Sequence, residues 1–337
     1  MPTLEEIAKL TGVSRSTVSR VINNDPHVSE ETRQNVMVVV RELNFQPNVA
    51  ARSLATGRSS ILGLVIPTRV ASLFTDPYFP ALIQGASMAC NAQNYSTMLW
   101  LAEPEYERRT IQQVINIGLL DGVVVSSMMI DDPIVAALKD SKIPFVLVGR
   151  HPSAEGISYV DVDNVNSARE IVTYLLRLGY RRIATITGPL NLISGRDRYQ
   201  GYQEALHSRG VALDEELVVE GDYTEEGGYL GMQRLLSKRP RAVFAASDLM
   251  ASGALRALRE AGLQVPSDVA IVGFDDLPTS ARLVPPLTTM RQSVSQLGSV
   301  AVEILLDLIQ HPGTGPHRVI LPTQLVIRES CGSNLNF

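Results

Sequence analysis

Several features that would mark a secreted, membrane or metal-dependent protein are missing from this chain. Its 337 residues include two cysteines, Cys90 and Cys331, far apart and outside any CxxC spacing. That usage excludes a disulfide framework and a structural zinc site. No apolar run reaches the roughly 18 residues that suggest a membrane helix. The opening Met1-Pro2-Thr3-Leu4-Glu5-Glu6 is acidic and lacks the basic start and apolar core of a secretory leader. A cytoplasmic location is expected on that ground. The histidines, His27, His151, His207, His311 and His317, are scattered without metal-ligand spacing. There is no GxxxxGK[ST] phosphate loop and no Gly-x-Ser-x-Gly elbow. Asp275 and Asp276 are adjacent on a loop and expected to point in different directions, so they form no acid/base pair. The expectation is a protein with no cofactor, no metal and no enzymatic activity.

What is present suits a soluble globular chain of two or three domains, with 45% hydrophobic and 19% charged residues. The net charge of −5 argues against nucleic acid only when it is read as one number. Residues 1–58 carry seven Lys/Arg against six Asp/Glu, about +1, which leaves about −6 for the rest. Such a module can bind DNA only if Glu5, Glu6, Glu30 and Glu31 face away from the phosphates. Pairing of two copies would help.

The N-terminal stretch carries the densest signals. Thr3-x-x-Glu6 is a capping-box pattern. Leu4, Ile7, Ala8 and Leu10 form the expected buried stripe of a first helix. Gly12 supplies a tight turn, Val13 fills the space beneath it, and Ser14 suits the N-cap of a second helix. Val18, Val21 and Ile22 face inward on that helix, leaving Arg15, Ser16, Ser19 and Arg20 outside. A third helix is expected from near Ser29 to about Leu43, with Val36, Val39, Val40 and Leu43 inside. In a helix-turn-helix the second helix enters the major groove, where arginine suits guanine and serine can serve several bases. Ser14, Thr17 and the helix start can hold phosphates. An ordinary helical bundle with a solvated Arg/Ser face is the bland alternative.

Gly12-Val-Ser-Arg-Ser-Thr-Val-Ser-Arg-Val-Ile-Asn23, Val28-Ser-Glu-Glu-Thr-Arg33, Leu43-Asn-Phe-Gln-Pro-Asn48 and Ala50-Ala-Arg-Ser-Leu54 together resemble the lactose/galactose-repressor (LacI/GalR) family of bacterial transcription regulators. The resemblance continues to about residue 330. It implies DNA contacts from Thr3, Ser14, Arg15, Ser16, Thr17, Ser19, Arg20, Asn23, Asn48, Ala51 and Leu54. Asn48 to Thr56 is too short for a stable isolated helix in water. The family pattern implies that two such segments pair in the minor groove, with Leu54 as a wedge between base steps. The fold expected is an N-terminal all-α helix-turn-helix domain, residues 1–46, and a hinge, 47–60. An α/β, two-lobed, periplasmic-binding-protein-like sensor follows, 61–337.

In the sensor, apolar runs at Ile61–Ile66, Thr97–Leu101, Gly122–Val125, Phe145–Val148, Ile183–Ile186, Ala242–Ala245 and Val269–Val272 alternate with amphipathic stretches. Examples of these stretches are Phe79–Asn94, Ser167–Leu178, Gly201–Gly210 and Ala251–Gly262. That alternation predicts parallel sheets covered on both faces. The strands are too many for one comfortable sheet, so two lobes are expected: 61–160 with 291–321, and 161–290 with 322–330. Ligands of such sheets bind beyond the carboxyl ends of the strands. Residues so placed are Tyr78, Phe79, Ser126, Arg150, Ser194, Arg198, Tyr223, Ser247, Asp248, Asp275 and Gln292. Asp248 can instead cap the following helix. The resemblance implies ligand roles for Arg198, Asp275 and Tyr223. Ser247 and Gly149 depart from residues several members carry there, which leaves the sugar open.

The reading that results is a cytoplasmic, effector-responsive repressor of carbohydrate-utilisation genes. It acts as a homodimer on a near-palindromic operator, with a small sugar between the lobes. No heptad tail follows the last strand, in keeping with a dimer. A sugar carrier for a transporter is the alternative, and it leaves residues 1–57 unexplained.

Overall fold

The computed structural model describes residues 2–22, 25–45, 58–67, 70–100, 118–126, 129–130, 133–152 and 155–333. They form two compact units, dividing between Ser59 and Ser60.

The first unit is three helices, α1 (Leu4–Thr11), α2 (Arg15–Ile22) and α3 (Glu30–Glu42). Thr3 and Glu6 cap α1 reciprocally: Glu6 N–H donates to Thr3 Oγ1 at 3.3 Å and Thr3 N–H to Glu6 Oε2 at 2.9 Å. Gly12 ends α1 in the left-handed region at φ 69°. Ser29 caps α3. Ile7, Ala8, Val18, Val21 and Val36 form the core, with Leu4, Val13, Ile22, Val39, Val40 and Leu43 packed around them. Leu10 is a correction, since it is 63% exposed. The inward position one turn after Ile7 belongs to Thr11, whose hydroxyl donates to the Ile7 carbonyl at 2.7 Å. An alcohol satisfied by the preceding turn can sit where the periodicity calls for a leucine.

The second unit is built on β1 (Ile61–Val65), β2 (Ser96–Trp100), β3 (Gly122–Ser126), β4 (Phe145–Val148), β5 (Ser158–Val162), β6 (Ile183–Thr187), β7 (Val218–Glu220), β8 (Ala242–Ala245), β9 (Ala270–Asp275), β10 (Thr288–Gln292), β11 (Arg318–Leu321) and β12 (Thr323–Val326). They make two six-stranded sheets, ordered β11-β5-β4-β3-β1-β2 and β12-β10-β9-β8-β6-β7. Every pairing is parallel except β10 with β12. Parallel sheets need both faces covered. The helices are α4 (Val70–Thr75), α5 (Tyr78–Ala92), α6 (Ile134–Asp140), α7 (Asn164–Arg177), α8 (Ile193–Ser208), α9 (Glu225–Leu236), α10 (Asp248–Glu260) and α11 (Val294–Gln310). On the first sheet α5 and α11 cover one face and α6 the other. On the second, α7 and α8 cover one face, α9 and α10 the other.

The chain passes between the sheets three times, after Val162, after Gln292 and after Leu321. β5 runs two residues beyond the expected lobe boundary at 160, and residue 291 lies in the second sheet, because each boundary strand stays hydrogen-bonded to its neighbour. The largest departure is α8, which begins at Ile193, about two turns before the expected Gly201. Its first turns bury Gly195, Asp197 and Arg198 beside the single apolar Ile193, too little for an apolar stripe to announce them.

Paired helices cross closely because glycines face the neighbouring backbone. A Cβ on Gly253 of α10 would collide with the Glu225 carbonyl of α9, and one on Gly228 with the Met250 carbonyl. Gly253→Ala is therefore expected to destabilise the sensor by about 1–3 kcal/mol through overpacking. A thermal or urea melt checks this, and an unchanged midpoint contradicts the close crossing.

Candidate functional site

A cleft of about 760 Å³ opens between the two sheets of the second unit, at the carboxyl ends of their strands. Ser126, Asp275 and Gln292 are the last residues of β3, β9 and β10. Arg150, Asn164, Tyr223 and Ser247 follow β4, β5, β7 and β8 by two or three residues. Of the positions chosen from the sequence, Tyr78, Phe79, Ser126, Arg150, Ser194, Arg198, Tyr223, Ser247, Asp275 and Gln292 all line this cleft.

Arg198 is the organising group. It projects from the second turn of α8 and is 5% exposed. Its Nε donates to Asn164 Oδ1 at 2.9 Å, and its Nη1 to the Ala246 carbonyl at 2.6 Å. Asp275 Oδ1 lies 3.5 Å from the same Nη1. The guanidinium carbon stands 3.6 Å from the Phe274 ring centre, a cation–π contact in a desolvated place. Gln292 Nε2 donates to Asp275 Oδ1 at 2.5 Å. Asn164 Nδ2 donates to Asp161 Oδ1 at 3.2 Å, and Asp161 Oδ2 accepts from the Arg150 backbone N–H at 2.9 Å. One polar chain thus links the end of β5, the start of α7, α8, and the ends of β9 and β10.

The walls are held by different means. Tyr223 occupies the left-handed region at φ 64°, uncommon for a bulky side chain. Its hydroxyl lies 3.0 Å from Ser194 Oγ, and its ring fills the space a Cβ on Gly188 would need. Asp275 and Asp276 also have positive φ, 122° and 55°. Their carboxylates diverge: Asp275 faces the cleft, whereas Asp276 receives Arg291 and Arg328, each at 2.6 Å. Strain of this kind collects where ligands are held. Ser126 is buried, and its Oγ has no hydrogen-bond partner among the described residues. Arg150 crosses to the other lobe, where its Nη2 and Nε reach Asp197 of α8 at 2.6 and 3.1 Å. The lips also touch, with Ile130 N–H donating to the Asn191 carbonyl at 2.8 Å.

Asp248 is a correction, because it does not line the cleft. Ser247 caps α10 by accepting from Met250 N–H at 3.2 Å. Asp248 turns inward and accepts from Leu277 N–H at 3.0 Å and from Ser280 Oγ and Thr289 Oγ1, both at 2.5 Å. It is a buried brace. Sequence reasoning missed Asp161, Asn164 and Asp197. A carboxylate inside the otherwise apolar run Tyr159-Val-Asp-Val162 was the available signal for Asp161.

In the first unit, Ser14 Oγ accepts from Thr17 N–H at 3.1 Å and lies within 2.7 and 2.9 Å of the Ser16 and Thr17 hydroxyls. Arg15, Ser16 and Arg20 are exposed along α2. Glu5 does not face away from them: its Oε1 is 2.8 Å from Arg15 Nε, both side chains being mostly exposed. Asn23, Asn48, Ala51 and Leu54 lie outside the described residues.

The profile described as "Bacterial regulatory proteins, lacI family" matches residues 3–48, and one described as "Periplasmic binding protein-like domain" matches residues 172–331. The HTH-type transcriptional regulator CelR of Thermobifida fusca is 40% identical over 333 residues, covering 98% of each chain. A solved transcriptional regulator CelR–cellobiose complex superposes with a TM-score of 0.78 at 38% identity, over 98% of this chain and 100% of the other. The lac repressor dimer bound to operator and the anti-inducer ONPF gives a TM-score of 0.86 at 29% identity, over 98% and 99%. Among the described residues no helix is long and apolar enough to cross a membrane.

The acids of the cleft generate a pH dependence. Burial pushes Asp275 up to about 8 although Arg198 pulls it down, and burial pushes Asp248 up to about 6 against its three donors. An unfolded aspartate titrates near ~3.9. A carboxyl raised in the folded state stabilises it fully below the unfolded value, and that contribution is lost as pH rises through the folded value. The protein should therefore lose thermal stability as pH rises from about 4 to 8, with the part above pH 6 due to Asp275, and Asp275→Asn should flatten the fall between pH 6 and 8. Parallel melting curves for wild type and variant across this interval contradict the assignment.

Proposed function

The chain belongs to the lacI family of bacterial regulatory proteins, and we propose that it is a cytoplasmic, sugar-controlled transcriptional repressor acting as a homodimer on a near-palindromic operator. The observation that carries the sugar half is the floor of the cleft. Arg198, Asn164, Asp275 and Gln292 present fixed, charge-assisted hydrogen-bonding groups. Tyr78, Phe79 and Tyr223 supply aromatic surface for the C–H face of a ring. Ser126 offers a buried hydroxyl that a ligand hydroxyl can satisfy. The known relative solved with cellobiose supports this choice of ligand chemistry.

The DNA half rests on α2. Its N-terminus, capped by Ser14, is set to hold a phosphate while Arg15, Ser16 and Arg20 reach base edges. The Arg15–Glu5 pair is exposed and therefore weak, so Arg15 can exchange Glu5 for guanine at little cost. The lac repressor dimer on its operator supports the dimeric arrangement. A transport carrier is set aside: the helix-turn-helix match at residues 3–48 and full-length relatives that are transcriptional regulators do not fit one. The protein acts by binding alone. Effector and operator alter one another's affinity by the same factor, because coupling free energy is reciprocal.

Quantitative gel shifts test the DNA assignment. Arg15→Ala should lower the ratio of operator to random-DNA affinity by about tenfold, within the ~1–3 kcal/mol of a bidentate base contact. Leu54→Ala should weaken operator binding far more than random-DNA binding. Equal losses on both DNAs, for both variants, contradict the proposal.

A further inference from the structure

The cleft is larger and more acidic than a single sugar ring requires. A hexose has roughly a dozen non-hydrogen atoms. Even at the ~30 Å³ liquid water gives each molecule it takes at most ~360 Å³, about half of the 760 Å³ present. The lining is also tiered. Ser126, Asp161, Asn164, Arg198, Asp275 and Gln292 form a buried floor. Asn191 and Asp222 are exposed, Met129 and Glu225 are half-buried, and together they make an outer wall of the same cleft. A ligand filling only the floor leaves that outer wall to solvent.

Charge narrows the choice further. Among the described residues the lining holds five carboxyl groups, Asp76, Asp161, Asp222, Glu225 and Asp275, and two guanidinium groups, Arg150 and Arg198. Both cations are committed: Arg150 is held by Asp197, and Arg198 by Asn164, the Ala246 carbonyl and Asp275. The helix that could offer its N-terminus on the outer side, α9, opens with Glu225 and Glu226. A phosphate needs converging positive donors. Glu225 and Glu226 are themselves paired with Arg256, so a phosphate entering the cleft finds no uncommitted cation among the described lining residues.

We propose that the effector is an uncharged sugar of at least two linked rings. The first ring sits on the Arg198–Asp275 floor, and the second lies along Met129, Asn191, Asp222 and Glu225. Phosphorylated sugars are rejected because the cations of the described lining are already engaged. This rests on the sugar reading above and specifies it.

Isothermal titration of the full-length protein tests the proposal with cellobiose, maltose, lactose and sucrose, with glucose and galactose, and with glucose 6-phosphate. One disaccharide should bind at least tenfold more tightly than either hexose, and glucose 6-phosphate should show no saturable binding. Asn191→Ala should weaken that disaccharide about fivefold, the loss of one neutral hydrogen bond, and leave hexose binding unchanged. A hexose that binds as tightly as every disaccharide, a tightest ligand that is phosphorylated, or an Asn191→Ala loss shared by hexose and disaccharide overturns this proposal and leaves the sugar reading standing. A folded protein that binds none of these sugars overturns both.

Discussion

Arg198 places a guanidinium, 5% exposed, on the floor of the cleft, and the sensor is arranged to compensate that burial. An unpaired guanidinium in such a place costs several kcal/mol, so it must find partners from whatever surrounds it. Here those partners are Asn164, the carbonyl of Ala246, the carboxyl of Asp275 and the face of Phe274. They stand at the ends of β5, β8 and β9. Asn164 and Gln292, at the two ends of the same network, adjoin two of the three places where the chain passes between the sheets. A ligand that rearranges the bonds around Arg198 therefore acts directly on the segments about which the lobes can turn. This is the physical content of effector control in the proposed function: the cleft floor and two of the three crossovers are joined by hydrogen bonds.

Much of this was legible beforehand, for identifiable reasons. Capping box, turn glycine and N-cap serine are local chemistry, and Thr3, Glu6, Gly12 and Ser14 do in the structure what their types suggest. Continuous apolar strands announced parallel sheets, and strand ends announced the cleft. What stayed hidden depends on long-range packing. Asp161, Asn164 and Asp197 gain their importance from Arg150 and Arg198, far away in sequence. The first turns of α8 face polar partners and so carry no apolar rhythm. Asp248 lies one residue from a strand-end position that does face the cleft, but its carboxyl turns toward Ser280 and Thr289. Position along the chain could not separate Ser247 from its neighbour.

The lobes are also held by contacts that a ligand must accommodate. Arg150 reaches across to Asp197, and Ile130 to Asn191, so the lobes are bridged at two neighbouring points of the lips. Tyr223 and Asp275, which line the cleft, both adopt positive φ. Ser126 Oγ has no hydrogen-bond partner among the described residues, and burial raises the Asp275 carboxyl. A ligand hydroxyl that bonds Ser126 in one arrangement of the lobes and not in another would supply the differential energy that any population shift requires.

The most direct test is reciprocal linkage through Arg198. Operator affinity should be measured with and without the disaccharide that binds most tightly, in wild type and in Arg198→Met. The wild-type operator affinity should change by the same factor by which operator changes disaccharide affinity. Arg198→Met should still bind operator while its affinity no longer responds to the sugar. A full sugar response in Arg198→Met, or unequal factors in the two directions for wild type, contradicts the account.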